Sequence, residues 1–376
     1  MNKRGPRVDD QYHTPKKIRT SEPQSREVLQ EGLLELELLS LARTLTPTDE
    51  ERRSLQAFAY VLKVVIGRAA AAITVCGSLA QLTDLDGAGV DLAVMVPAST
   101  DLKRALLAPP LSCFFDVTQI VELKESSLRA TSLITVKPRR WSSTLQAHLF
   151  LGELGPGRPP PALDSIVREL LDTSAGSRDL VRLVKHWARR HNLSNQYEGF
   201  LSGAAWTLLV IFFLQQRGHV SSYTQLQLRS CSGSCIGTLA TPLSVLLRQF
   251  FSFLAGLGET CRRGISVTDA VTYRCRPGPL FIEDPVEFLQ SRQQRNLAQY
   301  MGERAWARIL FLAAEWAKLT PALAWQQWLE LRRSVGAEQL TVVGAAPALV
   351  HDPPRPSLLT GAMTTHSRAP EIEHSA

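Results

Sequence analysis

Apolar positions recur at three- and four-residue intervals over 28–44 and 48–66, which predicts two helices at the front of the folded part. Thr48-x-x-Glu51 opens the second as a capping box, a hydroxyl and a carboxylate that satisfy N–H groups left free at a helix start. The pattern then changes to short runs rich in β-branched or aromatic residues. Ala72–Cys76, Val90–Val96, Phe114–Val121, Leu133–Lys137 and Leu145–Leu151 predict the strands of a small mixed sheet. After Gly157-Arg158-Pro159-Pro160-Pro161 the helical period returns, at 164–175, 177–193, 199–217, 241–257 and 301–319. The expected architecture is α+β: a sheet with helices over 28–160, a helical domain over 161–340, and flexible tails at 1–27 and 341–376.

Composition narrows the class. With 376 residues, 44% hydrophobic and 20% charged, the chain can bury the cores of about two domains, and wholesale disorder is excluded. No apolar run approaches the ~20 residues needed to span a bilayer, so no membrane partner is expected. The opening MNKRGPRVDDQYHTPKKIRT lacks the apolar stretch of a signal peptide, and the expectation is an intracellular protein, cytoplasmic or nuclear. Pro15-Lys16-Lys17-Ile18-Arg19 fits either an import signal or a solvated tail. Six cysteines (Cys76, Cys113, Cys231, Cys235, Cys261, Cys275) form no CxxC pair and read as free thiols. Forty-two Lys and Arg against thirty-five Asp and Glu give +7, which permits a polyanion partner without demanding one.

Two stretches carry candidate chemistry. In ITVCGSLAQLTDLDGAGVDLAVMV a strand ends at Gly77-Ser78, where glycine lets the backbone approach an anion and the hydroxyl adds a donor. Arg178, Arg182, Lys185 and Arg189 fall on one face of a helix whose other face is apolar, a stripe that suits a polyanion or simply solvent.

The region RDLVRLVKHWARRHNLSNQYEGFLSGAAWTLLVIFFLQ resembles the central helical region of the terminal RNA nucleotidyltransferases, a family of poly(A) polymerases and terminal uridylyltransferases. LFIEDPVE (280–287) resembles that family's PAP-associated nucleotide-recognition segment, and with the Gly77-Ser78 turn the three blocks stand in the family's order over about residues 60–320. The resemblance implies a polymerase-β-like nucleotidyltransferase domain, a helical PAP-associated domain and a cleft between them. It also implies two divalent ions held by an Asp-x-Asp pair on one strand and a third Asp on a neighbour, because hard cations take carboxylate oxygens.

Counted from Gly77-Ser78 without gaps, the pair falls on Gly89-Val90-Asp91 and the third acid on His148, so only Asp91 remains. Asp84 and Asp86 imitate the motif but lie in a loop. Where the family has Leu-Ser-Ser-Tyr this chain has Leu201-Ser202-Gly203-Ala204, and the aromatic face that stacks on a base is missing. Gly77, Ser78, Lys185, Arg189, Ser202 and Asn296 match the family's nucleotide- and phosphate-binding positions. Three readings follow: an inactive or impaired homologue that binds or scaffolds in RNA 3′-end metabolism, an active enzyme with a rearranged metal site, or a helical interaction protein. Losses concentrated at the chemistry favour the first. It needs no cofactor, whereas the second needs Mg²⁺ or Mn²⁺ with a nucleoside triphosphate. The expected partners are RNA or an acidic protein surface, with RNA selectivity supplied by a partner protein because no RNA-recognition module is present.

Overall fold

The structure is a computed structural model. It describes residues 22–341 apart from 68–69, 71, 97–101, 110, 123–129, 140–144, 154–161, 230–236, 239–240, 259–262, 275–277 and 293. The basic cluster 15–19, nearly all of the C-terminal tail and the cysteines at 231, 235, 261 and 275 therefore lie outside the described residues. Residues 1–333 form one unit and 334–376 a second, of which 334–341 are described, as helix.

The first helix, α1 (Glu22–Leu45), starts inside the stretch expected to be a tail. Thr48 then starts α2 (Asp49–Ile66) as expected: its Oγ1 accepts from the Glu51 N–H at 3.2 Å, and the Glu51 carboxylate accepts from the Thr48 N–H at 2.6 Å. The sheet comprises β1 (Ala72–Cys76), β2 (Val90–Val96), β3 (Phe115–Glu122), β4 (Ala130–Pro138) and β5 (Ala147–Glu153), with α3 (Gly77–Gln81) and α4 (Leu102–Leu107) in its connections. Its order is β1-β2-β5-β4-β3, with β2 and β5 parallel and the other neighbours antiparallel.

Strand alternation gives this sheet two different faces. Val90, Leu92, Val94, Ile134, Val136 and Leu149 form a core with Leu55, Phe58, Leu62 and Ile66 of α2. The opposite face carries a row across all five strands, Cys76, Asp91, His148, Thr135 and Gln119, each paired with the next by register.

The helical part comprises α5 (Ala162–Asp172), α6 (Ser177–Arg190), α7 (Gly203–Gln216), α8 (Tyr223–Arg229), α9 (Leu243–Leu257), α10 (Pro285–Ser291), α11 (Glu303–Ala317) and α12 (Pro321–Thr341). Helix α7 is apolar on all sides and buried from Ala205 to Gln215, as a central helix must be. Trp187 packs against Trp206 at 5.9 Å and Phe251 at 4.8 Å between ring centres. Helix α1 joins this core through Leu34, Leu38, Leu41 and Leu45 rather than joining the sheet. Its Glu35 carboxylate also accepts from the N–H groups of Leu243 and Ser244, at 3.0 and 2.8 Å, and so caps α9, whose preceding Pro242 offers no side-chain cap. Two short sheets complete the fold, β6 (Ser174–Ala175) with β7 (Gly237–Thr238), and β8 (Arg263–Ser266) with β9 (Val271–Arg274) and β10 (Phe281–Ile282). Strands of two to four residues show no periodicity, and the sequence pattern did not indicate them. No helix among the described residues is long and apolar enough to cross a membrane.

Candidate functional site

Between the polar face of the large sheet and the helical layer lies a cavity of about 500 Å³, within the range of small-molecule sites. The five-residue row forms its floor. Leu133 and Phe150, one alternation further along, add an apolar patch, and Gly77, Ser78, Gln81, Leu163, Asp164, Lys185, Ser202, Gly203 and Ala204 complete the nearer wall.

Parallel pairing sets Asp91 directly beside His148, and the imidazole Nδ1 lies 3.1 Å from Asp91 Oδ1. The one acid at the expected metal positions is thus engaged by the residue standing where a second carboxylate is expected. Gly89 is closed off in another way: a Cβ there would meet Gln146 Cγ at 2.7 Å and the Gln146 carbonyl oxygen at 2.8 Å. That carbonyl already accepts from the Val90 N–H, so it is fixed in the sheet. Among the described residues no group of three His, Cys, Asp or Glu side chains could hold a metal ion. The donor set does not fit a pair of divalent ions.

Asp84 and Asp86 take no part in the cavity wall. Asp84 is buried and receives two bonds from Arg52, Nε at 3.3 Å and a terminal nitrogen at 3.1 Å. Asp86 shares a hydrogen bond with Glu51, and burial followed by that neighbour pushes its carboxyl up.

The basic stripe is divided among different surroundings. Arg182 is buried and clamps the 82–84 loop, donating to the carbonyls of Leu82 (2.8 Å) and Asp84 (3.3 Å) and to Asp179. A helix face reads as polar from the sequence whether water or another loop covers it, so the burial of Arg182 was not readable. Arg178 pairs with Asp172. Lys185 reaches the cavity but donates to the Thr83 carbonyl at 3.0 Å, and burial pulls its ammonium down to about 8 against the pull of Asp91 and Asp84. Arg189 is exposed and is not a lining residue.

Asn296 is held by backbone groups: its Oδ1 accepts from the N–H groups of Ile282 and Ala298 and its Nδ2 donates to the Leu280 carbonyl, so the side chain ties β10 to the following turn and is not a cavity-lining residue. Ser202 borders the cavity while capping α7 through the Ala205 N–H at 3.2 Å. Cys76 is a buried free thiol, raised by burial and by the charges of Asp91 and Asp164, and Cys113 is free and exposed.

Sequence reasoning missed Asp164. It opens α5, is buried, and its two oxygens accept from the Gly77 N–H at 3.1 Å and from Gln81 Nε2 at 2.7 Å. The only sequence signal is an acid in the first turn of a helix, which ordinarily means favourable placement at the positive helix end.

No family model matches the sequence, and no curated protein matches it. Solved structures do. A cytoplasmic RNA terminal U-transferase superposes with a TM-score of 0.62 at 17% identity, over 79% of this chain and 98% of that one. The Cid1 poly(U) polymerase gives 0.59 at 18% identity over 77% and 94%, and Cid1 with its short product ApU gives 0.61 at 16% over 78% and 97%. The chain has the polymerase-β-type nucleotidyltransferase fold of these terminal uridylyltransferase and poly(U) polymerase structures.

Proposed function

We propose that this chain is a terminal RNA nucleotidyltransferase homologue that has lost or nearly lost catalysis and serves as a binding or scaffold protein in RNA 3′-end metabolism. The Asp91–His148 pair carries the reading. A two-metal centre for nucleotidyl transfer needs several carboxylates to offset the charge of the ions. Here one of the positions holds an imidazole bonded to the surviving acid, and another is a glycine packed against backbone.

Support for retained binding comes from the cavity itself, which keeps nucleotide-compatible volume, Ser78, Lys185 and Ser202 on its wall. In this reading the sheet part and the helical part correspond to a nucleotidyltransferase-like domain and a PAP-associated domain, with α1 added to the latter. RNA is the expected partner, and a second protein supplies selectivity.

The test is primer extension: purified protein, an RNA primer, each nucleoside triphosphate, and Mg²⁺ or Mn²⁺. No extension is expected. Extension that Asp91→Ala abolishes would establish an active enzyme with a rearranged site, to which Asp164 would be the obvious second carboxylate because it borders the same cavity.

A further inference from the structure

The Gly77-Ser78 turn lies between two carboxylates. Gly77 has φ +71°, and a Cβ on it would stand 2.4 Å from Asp91 Oδ2. On its other side the Gly77 N–H donates to Asp164 Oδ2. This amide is the group that makes such a turn a receiver of phosphate, and here an acid of the same chain already fills it. Gln81 holds that acid in place, and Thr83 Oγ1 donates to Gln81 Oε1 at 3.3 Å, so the carboxylate is fixed by a short chain of hydrogen bonds. The positive charge that could offset it is partly spent, since Lys185 donates to Thr83 and His148 is paired with Asp91.

Resting on the reading of the cavity as nucleotide-derived, we propose that Asp164 is its specificity-determining residue. Its carboxylate stands in for a bound phosphate, so the cavity takes an uncharged nucleoside in preference to the corresponding nucleotide. Each added phosphate meets a fixed negative charge and an amide that is already satisfied. The apolar patch of Leu133, Leu163 and Phe150 remains open to a base or ribose.

The experiment is calorimetric titration of the full chain in EDTA with uridine and adenosine and with their mono- and triphosphates. Wild-type protein should bind nucleoside most tightly, monophosphate less and triphosphate least. Asp164→Asn keeps the shape, removes the charge and leaves an acceptor for only one of the Gly77 and Gln81 N–H groups. It should raise triphosphate affinity at least about tenfold and leave nucleoside affinity within about threefold. The wild-type order needs no variant, so it decides the matter even where Asp164→Asn fails to fold. Wild-type protein that binds triphosphate more tightly than nucleoside, or binds none of these, overturns the proposal. EDTA excludes metal-dependent turnover, so this result and the primer-extension result fail separately.

Discussion

At Gly89 a hydrogen atom does what no side chain could, because the Gln146 backbone occupies the space a Cβ would need. Gly89→Asp therefore does not simply return a lost ligand. It should lower stability by about 1–3 kcal/mol, the usual cost of overpacking a fixed site, and thermal melting should show Gly89→Ala destabilised similarly. Lys185 supplies a second test. Its ammonium is held at about 8 against an ordinary 10.5, chiefly by burial, so between those values the unfolded chain binds a proton that the folded chain does not. Stability then rises with pH across that window. Denaturant midpoints of wild type minus Lys185→Met should climb from about pH 8 to 10.5, and a flat difference would mean the amine is solvated. Asp91 and His148 were singled out by the resemblance to the nucleotidyltransferases rather than by the strand pattern alone, and the register sets the two side by side. What was not legible is the partner each polar group chooses. Asn296 and Arg182 have the residue types of ligand-binding groups, and only three-dimensional neighbours show that backbone carbonyls and amides already use them.

Helix α6 shows the same limit at the scale of an element. Its period separates apolar from basic positions correctly, and Leu180, Val181, Val184 and Trp187 are fully buried. Yet the basic side is divided in its turn: Arg182 faces a loop and Arg189 faces water. Arg182→Leu should cost about 1–3 kcal/mol, because it leaves the buried Asp84 carbonyl and the part-buried Leu82 carbonyl without their donor, whereas Arg189→Leu should change stability by less than about 0.5 kcal/mol. Urea unfolding of the two variants checks the contrast, and equal small losses would mean that the 82–84 loop holds itself. Helices α1, α2, α5, α6, α7, α9 and α11 and the five long strands were readable because each repeats its period several times, whereas α12 and the short α3, α4, α8 and α10 were not read from the sequence. The sheet of β8, β9 and β10 was not, since it depends on long-range pairing between segments too short to carry a pattern.

Across the whole molecule, the helical core is assembled from both ends of the described chain, α1 at one end and α5 to α12 at the other. Removing residues 1–45 should therefore damage the part farthest away in sequence. It uncovers the apolar surface that Leu34, Leu38 and Leu41 cover and leaves the N–H groups of Leu243 and Ser244 without Glu35. The truncated protein should bind a hydrophobic dye and melt lower, and an unchanged melting curve would show that α1 is dispensable. The contact from Glu35 to Leu243 spans 208 residues, and that separation has a consequence in time. A ribosome adding about 5–20 residues per second releases α1 on the order of ten to forty seconds before α9 exists to receive it. Until α6 is made its leucine face lacks the first of its helix partners, and until α9 follows it lacks the second, so nascent α1 is a segment that a chaperone would shield.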